Sequence, residues 1–163
     1  MKVIICDDDP NQRDSIRICF EVSGSRNELS EFELGTDMLD HLGANAADLV
    51  FLDMGLPDMD GLEVLKQLRK SSDVPVIVVS GNDTTESIVK ALTVGADDYV
   101  TKLYEPIELM ARVRAVTRRV SGRKSERTAF AAPGLLLDFD RKNAVVNGER
   151  FDLNLTEWDV YRR

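Results

Sequence analysis

Short apolar runs alternate with longer amphipathic stretches over roughly the first 120 residues of this chain. The apolar runs predict five strands, at about 2–6, 29–33, 48–52, 75–79 and 97–101. The third and fourth runs are apolar nearly throughout, which is typical of strands covered on both faces of a parallel sheet. Between the runs, apolar residues recur every three or four positions, as on the buried side of a helix. Five such strand–helix units predict a right-handed, doubly wound α/β domain.

Charged side chains stand directly after three of these strands. Asp7 and Asp8 follow the first strand, Asp53 follows the third, and Lys102 follows the fifth. In the flavodoxin-like strand order 2-1-3-4-5, strands one and three are neighbours at the switch point, where ligands bind. Carboxylates brought together there repel one another unless a cation lies among them, and Mg2+ prefers oxygen ligands. The sequence therefore predicts a magnesium site that receives a phosphate-like anion.

Composition and charge narrow the classes of function. The 163 residues are 43% hydrophobic, enough for one domain and a remainder, and the net charge is −8. Residues 1–120 hold 22 acidic against 13 basic side chains, so this part alone is a poor nucleic-acid binder. Cys6 and Cys19 form no disulfide pattern, and no apolar run is long enough for a membrane span. These features predict a cytoplasmic protein without a membrane partner.

The composition changes near residue 121. Residues 121–128 have no apolar period, which predicts a linker over 121–133. Short apolar runs follow at 135–137 and 144–146, and Asn147-Gly148 is a strong hairpin signal. A small antiparallel sheet cannot bury much apolar area by itself. Residues 134–163 are therefore expected to be the opening fragment of a second domain.

Several motifs together resemble the receiver domains of two-component response regulators. They are Cys6-Asp7-Asp8-Asp9-Pro10, the segment 53–61, Ser80 and the segment 95–102, and the resemblance covers about residues 1–120. The tail 134–163, with Leu155-Thr156-Glu157-Trp158-Asp159, is similar to the N-terminal platform of an OmpR/PhoB-type winged-helix DNA-binding domain. The DNA-reading helix of that domain would lie beyond Arg163, so contact with DNA is expected only of the full-length protein.

The resemblance implies a phosphorylation site and a metal site. Asp53 would accept a phosphoryl group from a sensor histidine kinase. Asp7, Asp8 and Asp53, with the carbonyl of Gly55, would hold Mg2+. The protein would then act as a switch whose only catalysis is its own phosphotransfer and dephosphorylation, and not as an enzyme with external turnover.

The resemblance also implies switching residues and a dimer. Lys102 and Ser80 would contact the phosphoryl group, and Tyr99 would move inward as Ser80 is drawn toward it. A homodimer would form through helix 4, strand 5 and helix 5. The positions that match its interface are Ile88, Asp97, Asp98, Glu108, Arg112 and Arg119. Ile88 stands where a basic partner for Glu108 is expected, so one ion pair of this interface would be missing.

The sequence leaves open two functions other than that of a phosphorylation-switched transcription regulator. One is a receiver-like interaction module that never binds phosphate. The complete set of acidic residues, hydroxyl and lysine argues against this module. Leu103 argues weakly for it, because it follows Lys102 where the family usually has proline, and a trans Lys102–Leu103 bond is expected there. A hydrolase of the haloacid-dehalogenase type would use Asp7 and Asp9 as nucleophile and acid. Asn11 breaks the pattern of that family, which has Thr or Val two residues after its second aspartate.

Overall fold

A computed structural model describes residues 1–23, 26–125, 130–132, 135–138, 143–146 and 149–152, with side-chain environments as far as residue 118. The chain divides into two compact units, Met1–Thr117 and Arg118–Arg163, and the boundary falls within the helix Pro106–Ser125. Within the described residues, no helix combines the length and the apolar character needed to cross a membrane.

The first unit is a five-stranded parallel sheet with helices on both faces. Its elements are β1 (Lys2–Cys6), α1 (Pro10–Val22), β2 (Glu28–Phe32), α2 (Gly35–Ala44), β3 (Leu49–Leu52), α3 (Gly61–Ser71), β4 (Val76–Ser80), α4 (Thr85–Val94), β5 (Asp98–Thr101) and α5 (Pro106–Ser125). The strand order is β2-β1-β3-β4-β5. The predicted flavodoxin-like fold and its strand order are confirmed.

Two apolar layers hold the helices on the sheet. Met38, Val64, Leu65, Leu68 and Ala91 belong to the layer under α2, α3 and α4. The opposite layer, under α1 and α5, includes Ile16, Phe20, Leu109, Val113 and Val116. Full burial of one such aliphatic or aromatic side chain stabilises the fold by about 1.5–3 kcal/mol. Strands β3 and β4, between the layers, are buried on both faces, as their apolar runs predict.

The parallel register brings the ends of neighbouring strands level with each other. Cys6 pairs with Leu52 at the ends of β1 and β3. The N–H of Asp53 donates to the carbonyl of Cys6 at 2.9 Å, which extends this pairing one residue beyond β3. The residues that follow β1 and β3 therefore start from adjacent points on one edge of the sheet.

Side-chain caps fix where most helices begin. The Asp9 carboxylate accepts from the Asn11 N–H at the start of α1, and Asp60 does the same for Leu62 at the start of α3. Helix α2 lacks a cap from its own N-cap residue, Leu34. The carboxylate of Asp58 replaces that cap from the segment after β3.

Asp58 links the β3–α3 segment to the start of α2. Its two carboxylate oxygens accept from the N–H groups of Gly35 and Thr36 at 3.0 and 2.9 Å. Slight burial opposes ionisation, but the hydrogen bonds outweigh it and lower the pKa of Asp58. Asp58 thus caps a helix in another part of the chain from the segment that follows β3.

Regular structure occupies both ends of the predicted linker over 121–133. Helix α5 continues to Ser125, because no proline interrupts it, and residues 130–132 form a further strand. That strand begins a four-stranded antiparallel sheet, β6 (Phe130–Ala132), β7 (Leu135–Asp138), β8 (Asn143–Val146) and β9 (Glu149–Asp152). Strand β6 is stabilised by pairing with β7, which its own three residues could not signal. The winged-helix-like motif over residues 155–159 lies outside the described residues.

Gly61, the first residue of α3, lies against the backbone that carries Asp53. A Cβ atom at residue 61 would be 2.4 Å from the Asp53 carbonyl oxygen and 2.5 Å from the Met54 Cα. Both neighbours are main-chain atoms, so neither can rotate away. The glycine allows close packing of α3 against the end of β3, and its φ is not in the positive range.

Replacing Gly61 with alanine is expected to lower the free energy of unfolding by about 1–3 kcal/mol, because the Asp53 backbone must move. Gly43→Ala is the matched control, since a Cβ at helical residue 43 meets nothing within 4 Å. The control should be about 0.5–1 kcal/mol more stable than the unaltered chain. Urea unfolding measures both, and equal stabilisation of the two variants would disprove the close-approach argument.

Candidate functional site

Three carboxylates converge at the carboxyl edge of the parallel sheet. One oxygen from each of Asp7, Asp8 and Asp53 lies within 4.8 Å of the others. Asp7 and Asp53 are only 2% and 5% exposed, whereas Asp8 is exposed. The cluster therefore has a buried base and an open rim. The convergence expected from the strand ends is observed.

The ammonium of Lys102 lies between the two buried carboxylates. Its Nζ atom is 3.1 Å from Asp7 Oδ2 and 3.3 Å from Asp53 Oδ1. The Lys102 N–H donates to the Ser80 carbonyl at 2.8 Å, which fixes the backbone from which this side chain reaches the site. Burial opposes the charge on Lys102, but the contacts with Asp7 and Asp53 outweigh it and raise the pKa of the ammonium.

Asp7 is held firmly yet has one oxygen suited to a further ligand. Its N–H donates to the Phe32 carbonyl at 3.1 Å, and its Oδ1 accepts from the Asp9 N–H at 2.9 Å. Burial raises the pKa of Asp7, against the hydrogen bond from Asp9 and the contact with Lys102. Its Oδ2 is buried, and the Lys102 contact there has the distance of an ion pair without hydrogen-bond geometry. A buried carboxylate oxygen that accepts no hydrogen bond from the described residues, beside two other carboxylates, is suited to bind a hard divalent cation.

Three further predicted site residues come from the same part of the sheet. Ser80 ends β4, Tyr99 lies in β5, and Gly55 follows Asp53 by two residues. Ser80 is buried, and its Oγ accepts from the Asn82 N–H at 3.2 Å. Tyr99 is also buried and donates its hydroxyl to the Asn82 carbonyl at 2.6 Å, so its ring already points inward here. Gly55 is exposed, and its N–H donates to Asp53 Oδ2 at 3.1 Å.

Leu103 has an unusual backbone for a branched apolar residue. Within the described residues the peptide bonds are all trans, the Lys102–Leu103 bond included, as expected. Leu103 has a φ of 84°, in the left-handed region that favours glycine, and its side chain is fully exposed. Such a backbone costs about 1–3 kcal/mol. The residue after Lys102 is therefore held in a strained conformation without any packing of its side chain.

The residues predicted for a dimer interface make contacts within the chain. Arg112 donates to both oxygens of Asp98, at 3.2 and 3.1 Å, and to Glu108 at 2.8 Å. These two carboxylates raise the pKa of Arg112. Asp97 immediately precedes β5 and pairs with Arg69 at 3.1 Å. Ile88 is half-buried against the core.

Arg119 is in α5, but its side chain lies outside the described environments. The exposed apolar residues on α4 are Val89 and Leu92, 54% and 43% exposed. The described side chains of the predicted interface on α4, β5 and α5 thus combine paired charges with a small apolar surface.

Sequence reasoning missed Arg13, whose guanidinium donates to the Asp7 carbonyl at 2.6 Å. A basic residue on a helix usually reaches solvent, so the local pattern gave no reason to choose it. The available signal was the acidic pair Glu31 and Glu33 near the end of β2, with which Arg13 forms ion pairs.

Tyr104, two residues after Lys102, has a buried hydroxyl without a hydrogen-bond partner among the described residues. Its ring packs against the core layer under α1 and α5. Burial, with smaller contributions from Cys19 and Asp7, raises the pKa of Tyr104 to about 12. Tyr99 has the opposite environment, because its hydroxyl makes the 2.6 Å hydrogen bond to Asn82.

The family comparison identifies the class of protein. Residues 3–114 match the model of the response regulator receiver domain, which is more than half of the chain. The chain therefore belongs to the response regulators of two-component systems, through a receiver domain. Members of this family are signalling switches and not classical enzymes.

Individual relatives extend the match beyond the receiver. The chain is 38% identical over 160 residues to the sensory transduction protein RegX3 of Mycobacterium bovis, covering 97% of this chain and 70% of RegX3. It is 37% identical over 130 residues to the response regulator ArlR of Staphylococcus haemolyticus, covering 80% of this chain but only 57% of ArlR. The chain thus spans little more than half of that relative's length.

The solved structures that resemble the chain include two response regulators. A receiver domain of Francisella response regulator 1452 is 34% identical, with a TM-score of 0.67, covering 73% of this chain and 98% of that one. DrrB of Thermotoga maritima, described as an OmpR/PhoB homologue, is 28% identical, with a TM-score of 0.64, covering 98% of this chain and 69% of DrrB.

Tyr104→Phe is expected to raise the free energy of unfolding by about 1 kcal/mol, because it removes a buried hydroxyl that has no partner. Tyr99→Phe is the matched control and should lower it by about 1 kcal/mol, because the Asn82 carbonyl loses its donor. Urea unfolding of both variants tests the contrast. Destabilisation by Tyr104→Phe would show that its hydroxyl is satisfied in solution.

Proposed function

We propose that this chain receives a phosphoryl group on Asp53 from a sensor histidine kinase and passes the signal to transcription. The observation that carries the proposal is the position of Asp53, buried beside Asp7 and 3.3 Å from the Lys102 ammonium. Membership of the receiver family supports the same role. A phosphoryl anion can approach these carboxylates only if positive charge offsets their negative charge. Lys102 supplies part of that positive charge.

The chemistry follows from a carboxylate nucleophile. An Asp53 oxygen forms a bond to phosphorus as the phosphorus–nitrogen bond of a phosphohistidine breaks, and the bonding electron pair returns to the imidazole nitrogen. Lys102 offers a positive charge to the phosphoryl oxygens, and Ser80 offers a hydroxyl hydrogen bond. The Gly55 N–H, already 3.1 Å from Asp53 Oδ2, helps to hold the nucleophile in place.

Asp7, Asp8 and Asp53, together with the Gly55 carbonyl, are the groups that would hold Mg2+. When bound, the ion neutralises the clustered carboxylates and stabilises the charge that develops on the transferred group. The buried Asp7 Oδ2 atom supports this assignment, because it accepts no hydrogen bond among the described residues. Asp8, on the exposed rim, leaves the pocket open to solvent ligands.

Switching is proposed to involve Ser80, Asn82 and Tyr99. The Asn82 N–H donates to Ser80 Oγ, while the Asn82 carbonyl accepts from the Tyr99 hydroxyl. A pull on Ser80 by a phosphoryl group would therefore reach Tyr99 through one residue. The inward ring of Tyr99 corresponds to the position expected of the phosphorylated form, which phosphorylation would favour over an outward one.

The second unit is proposed to begin a winged-helix DNA-binding domain over 134–163, after a receiver domain over 1–120. Its antiparallel sheet and the similarity to DrrB over 98% of this chain support the assignment. Control of transcription through DNA would then belong to the full-length protein.

A homodimer is proposed through α4, β5 and α5, where Val89 and Leu92 are exposed near the Asp98–Arg112 ion pair. Exposed ion pairs alone would contribute only about 0–1 kcal/mol, so the apolar residues of α4 should provide much of the contact.

Sedimentation equilibrium with Mg2+ and beryllofluoride, a phosphoryl mimic, is expected to show dimers that Val89→Asp disrupts by charging the apolar contact. Ile18→Asp on α1 is the matched control, because both side chains are 54% exposed. Monomers at high concentration with and without the mimic, or equal effects of the two substitutions, would contradict the interface.

Incubation with acetyl phosphate and Mg2+ is expected to add one phosphoryl group per chain, seen by mass spectrometry of the intact protein. Asp53→Asn should abolish the addition, because an amide is a poor nucleophile. Asp60→Asn is the matched control, since Asp60 caps α3 on the same segment and asparagine caps equally well.

The same experiment separates the alternatives. Absence of any added phosphate in the folded chain would favour the receiver-like interaction module, for which the strained Leu103 backbone beside Lys102 is the specific supporting observation. Continuous release of phosphate by Asp53→Asn would favour a hydrolase that uses Asp7 and Asp9.

A further inference from the structure

Arg13 is a buried cation behind the carboxylate cluster. It lies on the first turns of α1, and its side chain is 10% exposed. A buried guanidinium is costly unless its donors are paired, so its partners show what the fold uses it for. The partners of Arg13 are Asp7, which follows β1, Glu31 in β2, and Glu33, which follows β2.

The guanidinium connects the end of β1 to the end of β2. Its Nη1 donates to the Asp7 carbonyl at 2.6 Å, and its Nη2 donates to Glu33 Oε1 at 3.0 Å. Its Nε is 3.4 Å from Glu31 Oε2. The planar fork of arginine allows these contacts at once, which a lysine ammonium cannot reproduce in the same geometry.

The contacted carbonyl belongs to the peptide unit that joins Asp7 to Asp8. Fixing this carbonyl sets the orientation of the peptide plane, and therefore the directions in which both aspartates leave the backbone. The N–H of Asp7 is fixed separately by the Phe32 carbonyl at 3.1 Å. Arg13 thus holds the acceptor side of this peptide, on which two of the three clustered carboxylates depend.

We propose that Arg13 is a positioning residue for the divalent-cation site: it does not contact the ion but orients Asp7 and Asp8 to hold it. This inference rests on the proposed function, because it assumes that the cluster takes a divalent cation. Groups that orient metal ligands typically change metal affinity by 10–100-fold when they are removed. The effect of Arg13 should fall in that range.

Arg17 provides a comparison within the same helix. It pairs with Glu31 at 3.8 Å, as Arg13 does at 3.4 Å, and its other ion pairs are with Asp14 and Glu21. Its side chain is 40% exposed. Loss of Arg17 therefore weakens the α1–β2 contact without touching the Asp7 carbonyl, which separates a positioning role from a general structural one.

The test measures binding of Mn2+ alone, a paramagnetic substitute for Mg2+, to the full chain by electron paramagnetic resonance. Arg13→Met is expected to weaken Mn2+ binding by about 10-fold or more, whereas Arg17→Met should change it by less than about 2-fold. Arg13→Lys should give an intermediate loss, because an ammonium can donate to the Asp7 carbonyl. Circular dichroism establishes that each variant is folded under the conditions of the titration.

The outcomes of this test separate the positioning role of Arg13 from the proposed metal site. Equal Mn2+ affinity of Arg13→Met and the unaltered chain would overturn the positioning role while leaving the proposed function intact. Equal losses in Arg13→Met and Arg17→Met would also overturn it, in favour of a structural role. If Arg13→Met does not fold, Arg13→Lys decides by the same criterion, with Arg17→Lys as its control. Failure of the unaltered chain to bind Mn2+ would overturn the metal site and the inference together.

Discussion

The convergence of three carboxylates at one sheet edge is unfavourable by itself, and the site depends on how the fold compensates for it. Asp7 and Asp53 are buried, so their mutual repulsion is weakly screened by solvent. The Lys102 ammonium, 3.1 and 3.3 Å from them, provides one compensating charge. One ammonium does not neutralise three carboxylates. The remaining negative charge favours the proposed divalent cation, whose binding would then stabilise the folded state.

The parallel sheet brings the carboxylates together, and the segment after β3 fixes the position of Asp53. Strand register aligns the ends of β1 and β3, which places Asp7 and Asp53 together. The segment after β3 is then fixed at two points: Gly61 packs against the Asp53 backbone, and Asp58 caps α2. These contacts hold the proposed nucleophile while leaving Gly55 and the rim open. The same architecture serves the stability of the fold and the geometry of the site.

The strand ends, the sheet order and the acidic cluster could be predicted because each depends on local patterns and on a general rule of parallel sheets. Contacts between distant segments could not. Nothing near Asp58 signals that it caps a helix over twenty residues earlier, and Arg13 looks like a solvated helix residue. The strand over residues 130–132 was missed for a similar reason, because β6 owes its existence to pairing with β7. The strained Leu103 backbone also has no local sequence signal.

The edge formed by Asp7, Asp8 and Asp53 should bind a divalent cation in the folded state. The free energy of unfolding, measured as a function of Mg2+ concentration at constant ionic strength, tests this binding. Stability should rise by about 1.4 kcal/mol for each tenfold increase in Mg2+ above its dissociation constant. Asp53→Asn should move this rise to higher Mg2+ concentrations. A stability that stays constant across millimolar Mg2+, or an unchanged rise in Asp53→Asn, would contradict binding of the cation at this edge.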